Sequence, residues 1–322
     1  MPFPRPESLE PNVQFWVDIF TSYSERDFVA VDRDDPNKIY QVFHVPGSGT
    51  PTREEIDWTN AYLKDKYSTI LEKLAAHQEP MGSDERRVAE MFEGRPGWIL
   101  ADAAQNIRVQ EGLREKFREG LLRSRYWRPT MEKIFRAAGL PVELVTLAHV
   151  ESGFQRGARS SCGALGIWQF TRETGRHYMK ISRKRDDRLN PVLETQAAAR
   201  LLRANYETLG DWPLAITAYN YGTAGTARAA SVCGNDYCKM VKTYNGPHFG
   251  FAVKNYYAEF LAALQVHEYE DKYFPGIQYE SAIAPAPLKS AQTASSHRRS
   301  RSHHSSKKSS REASAAGHAS RA

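Results

Sequence analysis

The segment from Glu151 to Thr171, ESGFQRGARSSCGALGIWQFT, places a single carboxylate between apolar and aromatic residues. The apolar run LVTLAHV ends just before Glu151, and Gly163 and Gly166 permit a tight turn that a ligand can approach closely. Burial beside such residues disfavours the charged carboxylate and raises its pKa. The sequence therefore predicts that Glu151 is a general acid/base that keeps its proton until a leaving group takes it.

Three neighbours of Glu151 in the sequence carry groups that suit a sugar ligand or the local turn. Trp168 offers a flat apolar face that would stack on a sugar ring, and Gln169 offers an amide that both donates and accepts hydrogen bonds. The hydroxyl of Ser152 can hydrogen-bond nearby backbone groups. An exposed glutamate at a helix end is the alternative interpretation of Glu151, and these neighbours favour the catalytic one.

The second element with possible chemistry is AYNYG at residues 218–222. In one interpretation it is an ordinary helix end, with Gly222 just past the last turn. In the other, Tyr219 directs its hydroxyl toward Glu151 or a substrate, and Asn220 holds a sugar substituent.

The elements that must position these residues are predicted to be mainly α-helical. The runs FVAV (28–31) and IYQVFHV (39–45) flank an Asp-Pro-Asn turn and predict a β-hairpin. Pro141 suits the first turn of a helix that carries Glu151 near its C-terminal end. Helical periodicity predicts further helices at 12–22, 53–78, 83–93, 108–138, 191–208, 211–220 and 251–267.

The charge of the chain is concentrated in its last residues. The formal net charge is +6, but residues 289–322 hold eight Lys or Arg and one acid, so the remainder is near neutral. Residues 281–322 are rich in Ala, Ser, His and Arg, and this composition predicts a disordered basic tail. Such a tail can bind anionic envelope polymers at low salt, and specific nucleic-acid binding is not expected.

The three cysteines leave the redox state open. Cys233 and Cys238 lie five residues apart and could close a disulfide in an oxidising compartment, or they could be two free thiols. No histidine is interleaved with them at ligand spacing, so no metal site is expected. The sequence has no apolar run of the roughly 20 residues that cross a membrane, and its N-terminus shows no signal peptide.

Three blocks together resemble the soluble lytic transglycosylase family, with its goose-type lysozyme-like fold. They are ES-x-F to W-Q-F (151–170), D-D-R-L-N-P to L-L (186–202) and D-W-x-L-A to Y-N-x-G (211–222). The helical lead-in at 108–150 resembles the membrane-bound D type. The resemblance implies that Glu151 is the sole catalytic acid/base. It also implies a substrate cleft lined by Ser160, Gly166, Gln169, Tyr219, Asn220 and Tyr256. The chemistry of their side chains adds Ser152 and Trp168 to the predicted substrate-binding residues.

The resemblance implies a peptidoglycan lytic transglycosylase that needs no cofactor. Such an enzyme cleaves the β-1,4 bond between N-acetylmuramic acid and N-acetylglucosamine and leaves a 1,6-anhydromuramic end. A muramidase-type hydrolase and a non-catalytic peptidoglycan-binding protein remain as alternatives. The implied location is the cell envelope, in the periplasm. We expect an N-terminal helical scaffold at 1–107, a catalytic domain at 108–280 with core motifs at 141–270, and the tail at 281–322.

Overall fold

The computed structural model describes residues 2–277, and α-helices make up most of this part of the chain. The predicted mainly α fold is confirmed, whereas the predicted tail at 281–322 lies outside the described residues. The helices are α1 (Glu10–Thr21), α2 (Arg53–Ala75), α3 (Ser83–Met91), α4 (Gly97–Gln105), α5 (Arg114–Ala137), α6 (Leu147–Ser152), α7 (Arg172–Tyr178), α8 (Pro191–Leu209), α9 (Trp212–Tyr221), α10 (Thr223–Val232), α11 (Tyr237–Thr243), α12 (Phe251–Glu268) and α13 (Glu270–Tyr273).

The strands are β1 (Asp27–Asp32), β2 (Ile39–His44) and β3 (Ile107–Glu111), in the sheet order β2-β1-β3. The predicted hairpin is confirmed, because β1 pairs antiparallel with β2. β3 also pairs antiparallel with β1 and sets Arg108 opposite Val31. The helix predicted over 108–138 was therefore wrong in its first residues, and α5 begins only at Arg114.

The described residues pack around two hydrophobic cores. The larger core joins α1 to the helices that follow residue 114, and α1 packs along α12. The smaller core lies between the sheet and helices α2, α3 and α4. Because β3 pairs with β1 and α1 belongs to the larger core, both the sheet and the core cross the expected boundary at residue 107.

The segment that leads to Glu151 differs from the single helix that was predicted. A 3-10 helix, Val142–Thr146, leads into α6, a helix of only six residues. Gly153 ends α6 in the left-handed conformation, with φ of 56°, which glycine adopts without steric cost. The chain therefore leaves the helix within two residues of Glu151. No helix among residues 2–277 combines the length and apolar character needed to cross a membrane.

Candidate active site

Glu151 lies at the C-terminal end of α6, partly buried, and accepts a short hydrogen bond from the Tyr256 hydroxyl of α12. Tyr256 is 3% exposed. Burial raises the pKa of Glu151 to about 7, and the hydrogen bond from Tyr256 opposes that rise. A carboxyl group with a pKa near neutrality can donate a proton and then take one back, as a general acid/base requires.

A buried carboxylate on α8 holds the loop that follows α6. Glu194 is fully buried and accepts hydrogen bonds from the backbone N–H groups of Ile167 and Trp168, each at 2.9 Å. Burial raises the pKa of Glu194 well above its ordinary value, and the two N–H groups oppose this. Gly166, with φ of 92°, lies so close to Glu194 and to the Arg188 carbonyl that a side chain would overlap both.

The expectation that Trp168 stacks on a sugar ring is wrong. Its side chain is 0% exposed and stacks on Phe135, with ring centroids 5.5 Å apart. Its indole N–H donates to the Thr195 hydroxyl at 3.0 Å. Trp168 therefore anchors the loop to the core, where an aromatic ring contributes far more burial than it could on the surface.

Three other predicted cleft residues use their polar groups within this loop. The Ser152 hydroxyl donates to the Ile167 carbonyl at 2.7 Å, and the Ser160 hydroxyl accepts from the Ala164 N–H at 3.0 Å. Gln169 donates its amide Nε2 to the carbonyls of Gly166 at 2.7 Å and Ala158 at 3.1 Å. These bonds fix the shape of the loop beside Glu151. Contact of these residues with substrate remains a prediction.

Tyr219 and Asn220 end α9 close to this loop. The Tyr219 hydroxyl donates to the Trp168 carbonyl at 2.8 Å and not to Glu151, and its expected alternative role toward a substrate remains a prediction. Burial raises the pKa of Tyr219 well above its ordinary value, and the negative charges of Glu151 and Glu194 add to the rise. Asn220 is exposed, so it is open to a ligand.

A second carboxylate that sequence reasoning missed lies near Glu151. Glu259 follows Tyr256 by one turn of α12, on the same face of the helix, and is partly buried. Burial raises the pKa of Glu259 to about 8; the negative charge of Glu151 adds to the rise, and the cation of Arg108 opposes it. Arg108 belongs to β3, so the N-terminal sheet contributes charge to this site.

Behind Glu151, two buried histidines connect α6 to α12. His149 Nδ1 and His267 Nε2 are 2.8 Å apart, and Arg128 Nη1 lies 3.0 Å from His267 Nδ1. His149 also stacks on Phe117, with ring centroids 3.7 Å apart. Burial lowers the pKa of His149 to about 3 and that of His267 well below its ordinary value. Both imidazoles are therefore neutral at pH 7.

The possible disulfide between Cys233 and Cys238 is absent, and both residues are free thiols. Cys233 is buried at the end of α10, with its sulfur 4.0 Å from the Thr243 hydroxyl.

Helical periodicity carried a signal for both acids that sequence reasoning missed. Glu194 shares the apolar face of α8 with Ala197 and Ala198, three and four residues later, and an acid on such a face is buried and bonded. Glu259 follows Tyr256 at the same spacing. No local pattern pointed to Arg108, because its strand pairs with residues about 80 positions earlier.

A family model and several curated proteins match part of this chain. The family model "Transglycosylase SLT domain" matches residues 131–246. Two similar relatives are the membrane-bound lytic murein transglycosylases D of two strains of Escherichia coli, each 42% identical over 92 residues. The aligned segment is 28% of this chain and 20% of each relative, so the chain spans about a fifth of the length of these curated relatives.

Proposed function

We propose that the protein is a peptidoglycan lytic transglycosylase of the cell envelope, acting in the periplasm, because its residues 131–246 match the family model of the transglycosylase SLT domain. The single observation that carries the proposal is the state of Glu151, partly buried, bonded to Tyr256 and with its pKa raised to about 7. Glycan strands of peptidoglycan are the proposed substrate, and no cofactor is required. The basic tail would add contacts to anionic envelope polymers.

In this mechanism Glu151 acts twice on the same sugar. As an acid it protonates the oxygen of the β-1,4 bond between N-acetylmuramic acid and N-acetylglucosamine. The N-acetyl oxygen of the muramic residue stabilises the positive charge that develops at C1. As a carboxylate, Glu151 then takes the proton of the C6 hydroxyl, whose oxygen attacks C1 and closes the 1,6-anhydro ring. Attack within one sugar benefits from high effective molarity and consumes no water.

A muramidase-type hydrolase is the second candidate, and a second carboxyl group, that of Glu259 one turn after Tyr256 on α12, favours it. Two-carboxylate glycosidases use the second acid as a nucleophile or as the base that activates water. Glu259 lies close enough for the charge of Glu151 to affect its pKa. Mass spectrometry of digested cell-wall sacculi separates the two candidates, since 1,6-anhydro ends support the transglycosylase and reducing ends support the hydrolase.

The substitution Glu151→Gln tests the assignment of the acid/base. We expect release of soluble muropeptides from sacculi to fall by roughly 10²–10⁴-fold, because an amide can neither donate nor recover the proton in this step. Glu207→Gln, at an exposed position on α8, is the matched control and should retain full activity. Near wild-type turnover by Glu151→Gln would refute the proposal, and a wild-type protein that binds sacculi without cutting them would support the non-catalytic alternative.

A further inference from the structure

Arg128, His267 and His149 form a hydrogen-bonded network that joins α5 and α12 to α6, the helix that carries Glu151. Arg128 Nη1 lies 3.0 Å from His267 Nδ1, and His267 Nε2 lies 2.8 Å from His149 Nδ1. A guanidinium has N–H donors and no acceptor, so Arg128 donates and His267 Nδ1 accepts. The contact with Arg128 therefore fixes the direction of both hydrogen bonds.

This direction determines which ring nitrogen of each histidine carries the proton. Burial lowers the pKa of both imidazoles, so each is neutral at pH 7 and holds one proton. Because His267 accepts at Nδ1, its proton lies on Nε2 and is donated to His149 Nδ1. The proton of His149 then lies on Nε2 as well. That nitrogen has no partner at normal hydrogen-bond geometry among residues 2–277, although the Phe117 carbonyl raises the pKa of His149 against the effect of burial.

The imidazole of His149 has little room to move, so its position determines that of α6. It is 5% exposed, and it stacks on Phe117 of α5. A Cβ at Gly120 of α5 would lie 2.3 Å from His149 Nε2, so glycine leaves the space that this ring occupies. Helix α12 thus holds the six residues of α6 at two points, through His149 and through the bond from Tyr256 to Glu151.

We propose that Arg128 is a positioning residue for Glu151. By donating to His267, it gives the hydrogen bond between the two histidines one direction and gives His149 one arrangement against α5. Without Arg128 that hydrogen bond has no fixed direction, and α6 loses one of its two fixed points on α12. Glu151 then moves relative to Tyr256, because the two residues lie on different helices. This inference rests on the proposed function, since it deepens the role of Glu151 in that site.

The positions of the protons are tested first, in the wild-type protein at pH 7 and without substrate. Nitrogen NMR spectra of protein labelled at histidine separate a ring nitrogen that carries a proton from one that does not. The variants His149→Gln and His267→Gln assign the signals. We expect the proton on Nε2 of both rings. A proton on Nδ1 of either ring, or a charged ring, would overturn the inference.

Arg128→Met then tests the effect on Glu151, and Arg136→Met, at an exposed position of the same helix, is the matched control. We expect the proton of His267 to be divided between its two nitrogens, and the pKa of Glu151 to rise as the bond from Tyr256 weakens. Arg128→Lys should restore both values, since an ammonium also donates and cannot accept. Carbon NMR of the Glu151 carboxyl group measures the pKa without any cleavage.

Turnover of sacculi gives a second measurement of the same effect. In Arg128→Met, kcat should fall roughly tenfold with KM unchanged, because a displaced Glu151 slows the chemical step without removing a contact to substrate. A purely structural arginine would lower the melting temperature and leave the proton positions and the pKa of Glu151 as they are, and this result would overturn the inference.

Two further outcomes are decided by the same measurements. If Arg128→Met does not fold, Gly120→Ala takes its place, since its methyl group must displace the His149 ring; an unchanged pKa of Glu151 in Gly120→Ala would overturn the inference. If the wild-type protein does not cut sacculi and the pKa of Glu151 still depends on Arg128, the proposed function is refuted and the positioning role stands.

Discussion

At the scale of single residues, the hydrogen bond from Tyr256 to Glu151 lowers the pKa of Glu151 and so limits the rise that burial causes. Burial favours the neutral carboxyl group, whereas the tyrosine hydroxyl stabilises the carboxylate. Tyr256 is itself buried, so it has little freedom to turn away from Glu151. The two residues lie on α6 and α12, 105 positions apart in the chain.

Tyr256→Phe is expected to raise the pKa of Glu151, because it removes the group that stabilises the carboxylate. The basic limb of the kcat profile against pH should therefore move to higher pH, and kcat should fall roughly tenfold with the loss of one charge-assisted hydrogen bond. Turnover of sacculi between pH 5 and pH 9 measures both effects.

Tyr257→Phe is the matched control, since it makes the same change on the next residue. The Tyr257 hydroxyl donates to the Pro4 carbonyl at 2.7 Å, away from Glu151. Its pH profile should match that of the wild type. An unmoved basic limb in Tyr256→Phe would show that the hydroxyl does not control the acid.

At the scale of elements, the loop from Gly153 to Phe170 keeps its shape because the side chains of Glu194, Gln169 and Tyr219 hydrogen-bond to its backbone groups. Gly166 is the position with the least space, since a Cβ would overlap Glu194 and the Arg188 carbonyl. Gly163 also has positive φ, 80°, but no atom lies within 4 Å of the place that an added methyl group would occupy. A substitution at Gly163 therefore carries only the backbone cost.

This contrast predicts different outcomes for two alanine substitutions. Gly163→Ala should lower the free energy of unfolding by roughly 1 kcal/mol, the cost of a left-handed non-glycine residue. Gly166→Ala should lower it by about 1–3 kcal/mol more, because the added methyl group is overpacked, and it should also reduce activity. Urea unfolding of both variants measures the difference, and equal losses would contradict the described packing.

The sequence was informative where structure depends on neighbouring residues. Helical periodicity predicted α2, α8 and α12 closely, and the Asp-Pro-Asn turn predicted the hairpin. Helical periodicity failed at β3, because the segment RVQEGLREKF has a helical pattern throughout. Its first residues form a strand only by pairing with β1. Sequence reasoning failed at Trp168 for a related reason, since burial of that ring depends on Phe135 and Thr195 from distant helices.

At the scale of the whole molecule, the site draws on more of the chain than the matched domain. Residues 131–246 include Glu151 and Glu194 but neither Arg108 nor Tyr256. Helix α1 lies outside this range as well, yet it packs along α12, the helix that carries Tyr256. The side chain of Asn12 also donates to Asn255 at 2.9 Å. The N-terminal residues thus help to hold in place the helix that carries Tyr256.

A chain that begins at residue 23 is expected not to fold. It loses the buried side chains of α1, which are Val13, Phe15, Trp16, Val17, Ile19 and Phe20. Each buried apolar side chain of this size contributes about 1.5–3 kcal/mol, so their sum matches the roughly 5–15 kcal/mol that stabilises a whole protein. Circular dichroism during heating measures this, with Gln14→Ala on the exposed face of α1 as the control. A cooperative transition in the shortened chain would contradict the shared core.

The neutral pair of His149 and His267 makes the folded protein less stable at acidic pH. In the folded state burial lowers the pKa of both imidazoles, whereas in the unfolded chain each titrates near 6.5. Once the pH falls below about 6.5, the two histidines therefore bind protons in the unfolded chain but not in the folded one. Each histidine then lowers the free energy of unfolding by up to about 1.4 kcal/mol per pH unit. Since His149 shares α6 with Glu151, acidification of the surroundings would destabilise the helix that carries the proposed proton donor.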